Sequence, residues 1–278
     1  MRLLPKAPAR RPFRARPRSL GLALLGLGLV LVLGSAAEAP ARLAIDPLTG
    51  PRTPLSKDWI GRRSLASGTP ILVMAGHADS QGMEGSGTSG EAVDRFGARP
   101  MQPGIRDELY WNLRTAERVV AIGRRRGLPI RLYVPSQRTI ADGDDPRTNW
   151  SVGKAHVRRG GYAMEIHYDA YGPDGFGSGL IPPLHQAPTL LDESLAASFG
   201  AFPFAFRGGL GAPRRGIAIL EIGKLESPLE SALRDPRSRD SALNAIAERV
   251  VLALEQGLSP RPTTLPATSL GNPATTRP

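Results

Sequence analysis

Residues 71–77 read ILVMAGH: five apolar side chains in a row, then a glycine, then a histidine. A run this short and this apolar is a strand buried on both faces, with a polar residue at its exit. Residues 82–104 (GMEGSGTSGEAVDRFGARPMQPG) follow, too polar and glycine-rich to be anything but a long loop. In 106–127, Leu109, Leu113, Ala116 and Val120 recur at spacings of 4, 3 and 4. That is one stripe of a helix, stopped by Gly127, with Glu108 in its first turn. Residues 130–134 (IRLYV) read as a strand again. The strand, helix, strand unit predicts an α/β fold: a mostly parallel twisted sheet flanked by helices, in a single domain.

Two further strands are expected at 162–167 (YAMEIH) and 217–221 (IAILE), and Leu243, Ile246, Val250 and Leu254 mark an amphipathic closing helix. Ligands of open α/β sheets bind beyond the carboxyl ends of the strands. Three strand exits here deliver His77, His167 and Glu221.

The chain has 278 residues, 41% of them hydrophobic, enough for a real core. Its net charge of +11 would suggest an anionic partner such as nucleic acid. Seven of the 36 basic residues lie in the first 19 positions, however, leaving 29 against 25 acids in the rest. No nucleic-acid partner is therefore expected. Cysteine is absent, which excludes disulfides, thiolate nucleophiles and cysteine-based zinc sites. Any metal must be held by His, Asp or Glu.

Residues 2–18 are basic and 20–33 form an unbroken apolar run, followed by Gly34, Ser35, Ala36 and Ala37. This is the layout of an export signal, so residues 1–39 are expected to be a leader cleaved near Ala37 or Ala39, or else an N-terminal anchor tethering the chain to the membrane through 20–37. Arg10, Arg11 and Phe13 hint at twin-arginine export. Either way the remainder belongs in the periplasm or cell envelope. Residues 40–66, rich in Pro and Arg, read as a linker, 67–258 as the domain, and 259–278 as a disordered tail.

Of four histidines (77, 156, 167 and 185), two stand at the ends of apolar strands. Two neutral imidazoles and one carboxylate, with a fourth position left to water, make a catalytic zinc site. Glu108 is the best-placed carboxylate, with Asp79, Asp107 and Glu91 as rivals. The competing reading is that each strand-end histidine bonds a loop carbonyl. Spacings of 31 residues (His77 to Glu108) and 59 (Glu108 to His167) fit no compact motif, so the residues alone leave the choice open. His156 and His185 read as structural or surface residues.

In order along the chain, however, ILVMAGH, then Glu108 with Asn112, Leu113 and Ala116, then Gly127 through Arg138, then MEIHYDA, then IAILEIGKLESPLE, resemble the zinc-dependent N-acetylmuramoyl-L-alanine amidases of the amidase type 3 group. The resemblance covers most of 69–257. It implies Zn2+ held by His77, Glu108 and His167, with Glu221 as the catalytic carboxylate, and peptidoglycan or a muropeptide as substrate. Arg138 stands in the family's Arg position, where it is expected to pair with a stem-peptide carboxylate. The chain departs from the family at Glu165, where a small residue is usual, and at Asp169, where Asn is. Sharing a strand face with His167, Glu165 is a candidate to contact substrate, act as a second acid or orient His167. Two further readings stay open: a non-catalytic relative that binds peptidoglycan, and a zinc carboxypeptidase acting on stem peptides.

Overall fold

The computed structural model describes residues 45–259. The expected leader or anchor at 1–39, the first residues of the expected linker and the tail beyond 259 lie outside them. In chain order the strands are β1 (Ile45–Asp46), β2 (Gly50–Pro51), β3 (Ile71–Ala75), β4 (Ile130–Tyr133), β5 (Tyr162–Asp169), β6 (Gly179–Ile181) and β7 (Ala218–Lys224). The helices are α1 (Glu91–Asp94), α2 (Asp107–Arg125), α3 (Asn149–Arg158), α4 (Leu190–Phe199), α5 (Leu229–Arg234) and α6 (Arg239–Leu258). No helix among the described residues is long and apolar enough to cross a membrane.

The main sheet runs β4-β3-β5-β7-β6. Its first four strands are parallel, and β6 joins the edge antiparallel. The chain leaves β3 for β4 on one side and returns to β5 on the other. The gap beyond β3 and β5 is therefore the switch point, where a parallel sheet opens a crevice at its carboxyl edge.

Strand alternation assigns the two faces. Ile71, Val73, Met164, Ile166, Leu220 and Ile222 pack on one side into the larger core, shared with α2, α4 and α6. Leu72, Met74, Ala163, Ile217 and Ile219 form a smaller core on the other side, with Trp150, Val152 and Val157 of α3 packed against it. On that second face the alternation continues toward the carboxyl edge as Glu165 and His167 on β5 and Glu221 on β7. There the sheet passes from core to site.

The linker expected at 40–66 is corrected over its described part. β1 pairs with β2, Trp59 is 8% exposed in the larger core with its indole N–H donating to the Phe202 carbonyl (2.8 Å), and Lys57 pairs with Glu193 at 2.7 Å. A Pro/Arg-rich composition hides this because the anchoring comes from one buried tryptophan and from hydrogen bonds that carry no apolar periodicity. Trp59→Ala is expected to cost about 3–5 kcal/mol, the usual range for removing a buried large aromatic, as read by urea denaturation. A tryptophan in a free spacer would cost nothing.

Candidate metal centre and its cavity

Each predicted donor reaches the switch-point crevice by a different route. His77 follows β3 and Gly76, and its left-handed backbone (φ 61°) turns the chain off the sheet. Glu108 is carried by the first turn of α2, where Thr88 of the glycine-rich loop donates its N–H to Oε2 (2.8 Å). His167 lies within β5, since the strand runs on to Asp169. Glu108 Oε1 stands 3.3 Å from His77 Nε2 and 3.2 Å from His167 Nδ1, and the two imidazole rings meet edge to face at 4.8 Å. Among the described residues this trio is the group whose donor atoms, all within 4.8 Å of one another, could hold a metal ion.

The sequence rivals of Glu108 are committed elsewhere. Asp79 accepts the N–H of Asn149 at the start of α3 (2.7 Å), Asp107 pairs with Arg234, and Glu91 pairs with Arg95 at 2.9 Å. The other two histidines stay outside the site. His156 bonds the Pro70 carbonyl (2.9 Å), and His185 is exposed.

The packing leaves little freedom. Gly76 lies so close beneath the His167 ring that a Cβ there would stand 2.1–2.5 Å from three ring atoms. Its carbonyl accepts from Asn112 Nδ2 of α2 (3.0 Å). At Gly87, with φ 93°, a Cβ would meet Glu108 Oε2 at 2.6 Å. The loop at 82–104 thus seals the back of the carboxylate, and it contains the single-turn α1 where an unbroken loop was expected.

Charge follows geometry. Burial pushes the Glu108 carboxyl up, but the two imidazoles outweigh it and hold it well below the usual carboxylate range. Burial pushes His167 down, yet hydrogen bonds to Glu108 and Glu165 raise it well above an ordinary histidine. In the metal-free protein, the contacts with Glu108 and Glu165 thus favour the protonated form of His167.

Glu221 stands directly across from His167 in the β5–β7 register, so both side chains rise from the same face of neighbouring strands. Its Oε2 is buried without a hydrogen-bond partner. Burial pushes its pKa up to about 8, with Asp169 and Glu108 adding to the rise while His167 and Arg207 oppose it. Lys224, further along β7, pairs with Glu226 at 3.0 Å. Asp169 accepts the N–H groups of Ala170, Phe176 and Gly177 and thereby holds the turn beside Glu221.

No family model and no curated protein matches this chain. Solved structures do. The catalytic domain of CwlV from Bacillus (Paenibacillus) polymyxa var. colistinus is 16% identical, covering 67% of this chain and 96% of that one, with a TM-score of 0.45. AmiC2 of Nostoc punctiforme is 13% identical (68% and 96% covered, TM-score 0.43), and Ami1 from Mycobacterium smegmatis 21% (69% and 98%, TM-score 0.41). All three are N-acetylmuramoyl-L-alanine amidases.

The centre opens into a cavity of about 520 Å³, lined by His77, Glu108, Glu165, His167 and Glu221 and walled opposite by Trp150, Arg207 and Leu210. Arg138, the cation expected to face substrate, is exposed and is not among the lining residues. β4 is an edge strand that ends at Tyr133; in the loop that follows, Ile140, Ala141 and Gly143 line the cavity, while the Arg138 carbonyl accepts from Gln81 N–H (2.8 Å). Among the described residues, the Lys or Arg that lines the cavity is Arg207. Its backbone is left-handed (φ 50°), and its guanidinium lies over the rings of Phe176 and Phe206, 5.2 Å from each. A left-handed arginine is an uncommon backbone state, and nothing in its flanking sequence marks it.

Proposed function

We propose that this chain is a zinc-dependent hydrolase of the bacterial cell envelope that cleaves the amide between N-acetylmuramic acid and L-alanine in peptidoglycan or a muropeptide. The observation that carries the reading is the convergence of His77, Glu108 and His167 on one point of the cavity, with Glu221 beside them. The donor set fits the metal: two imidazoles and one carboxylate, with the cavity side free for water and substrate, is a catalytic zinc arrangement. The ordered sequence resemblance supports the substrate class, and the basic and apolar N-terminal segment supports export.

When bound, zinc would polarise the scissile carbonyl and lower the pKa of water. Glu221 would accept a proton from the attacking water and deliver it to the departing amine, which would otherwise leave as a poor amide anion. A pKa raised toward the operating pH suits both halves of the transfer, because the carboxylate that accepts a proton and the acid that returns it are then both populated. Arg207 supplies the carboxylate-recognition role first expected of Arg138, its flat guanidinium matching a stem-peptide carboxylate.

The test is purified peptidoglycan incubated with the zinc-loaded protein, with products identified by mass spectrometry. New L-alanine amino termini that disappear on chelation are the expected result. Release of a terminal amino acid instead would indicate the carboxypeptidase. Tight zinc binding with no product would indicate the non-catalytic relative.

A further inference from the structure

Glu165 is 4% exposed, a buried carboxylate at a strand position where the resembling family carries a small residue. It stands two residues before His167 on the same face of β5, and its Oε2 lies 3.4 Å from His167 Nε2, at the long end of hydrogen-bond range. The other ring nitrogen, Nδ1, faces Glu108. The two carboxylates therefore address opposite ends of one imidazole, while Gly76 supports its face without room for even a methyl group. Of the three roles open to Glu165, this arrangement favours orienting His167, since the hydrogen-bond contact Glu165 makes within the cavity is with that imidazole.

We propose that Glu165 is a positioning residue. It accepts the Nε2–H of His167 and so fixes the tautomer in which Nδ1 offers its lone pair to the cation. A carboxylate behind a ligating imidazole does this by orienting the ring and raising its basicity, and losing such a partner typically weakens metal binding about 10–100-fold. The inference rests on the metal-site reading above and adds a device specific to this chain.

Zinc affinity of the full chain, measured by competition with a chromogenic chelator, tests it. Glu165→Met, similar in volume but lacking an acceptor, is expected to bind zinc about 10–100-fold more weakly than the parent. Glu165→Gln, whose amide oxygen can still accept from Nε2–H, is expected to recover most of that loss. Nitrogen-15 NMR of the zinc-loaded protein is expected to report His167 as the Nε2–H tautomer in the parent and in the Gln variant, and a mixture in the Met variant. If the Met variant fails to fold, Glu165→Ser enters the same two measurements with the same expectation. A Met or Ser variant that matches the parent in both affinity and tautomer overturns the proposal while leaving the metal site standing. A parent that binds no zinc would instead remove the metal site itself.

Discussion

Alanine at position 76 is expected to cost more than about 100-fold in zinc affinity, beyond what losing an outer hydrogen-bond partner does, while leaving the protein folded. The new Cβ would lie 2.1 Å from Cε1, 2.2 Å from Nε2 and 2.5 Å from Nδ1 of His167. Neither side can yield cheaply. The Gly76 backbone is bonded to Ile166 on β5 (2.9 Å) and to Asn112 on α2, and His167 is 8% exposed between Glu108 and Glu165. Relief comes from swinging the imidazole, which carries Nδ1 away from Glu108 and removes one of three donors. Overpacking of this kind costs about 1–3 kcal/mol, within the roughly 5–15 kcal/mol a domain has in hand. Chelator competition and circular dichroism on the same sample separate the two effects. Affinity within a few-fold of the parent would mean that His167 is not a metal donor.

The parts of the fold that could be read in the sequence are those whose burial is one-dimensional. β3 is apolar on both faces, and α2 keeps a helical stripe and ends near Gly127, so both were readable to within a residue or two. β5 and β7 were readable as strands but run past His167 and Glu221, which sit inside them. Only one face turns polar there, while Tyr168 and Ile222 keep the opposite face in the core. α3 was not readable. Its centre is Gly153, where a Cβ would stand 2.5 Å from the Ile217 Cδ1, so this helix exists through close packing on the sheet, against the weak preference of glycine for helices. α4 announces itself through Thr189 and Asp192, whose side chains cap each other's backbone, a local signal that composition alone passes over. His77 and His167, two of the three proposed metal donors, were legible because the switch point of a parallel sheet gathers strand exits, whereas Glu108, in the first turn of α2, stood among rival carboxylates that only the ordered resemblance separates. Arg207 and Trp150 were not, because loop and helix packing brings them to the cavity from stretches with no pattern of their own.

Glu221→Gln is expected to abolish most hydrolysis, at least the ~10²–10⁴-fold that a positioned acid/base group contributes, while zinc affinity changes little. The glutamine keeps the shape of the side chain but can neither take the water's proton nor pass it on. Loss of turnover with the metal retained is the signature that separates Glu221 from the three donors beside it. The same variant carries a second, independent readout. Burial raises the Glu221 pKa to about 8, above the 4.5 of an unhindered glutamate, so the folded state binds its proton more tightly than the unfolded state does. Its stabilising contribution is therefore complete below pH 4.5 and is lost as pH rises through about 8. Glutamine has no proton to lose. For protein stripped of metal, Tm of the glutamine variant relative to the parent is expected to rise from pH 6 to pH 9. A difference that stays flat across that interval would mean the carboxylate is better solvated than its position implies. Hydrolysis that survives the substitution would move the proton-transfer role to another residue of the cavity.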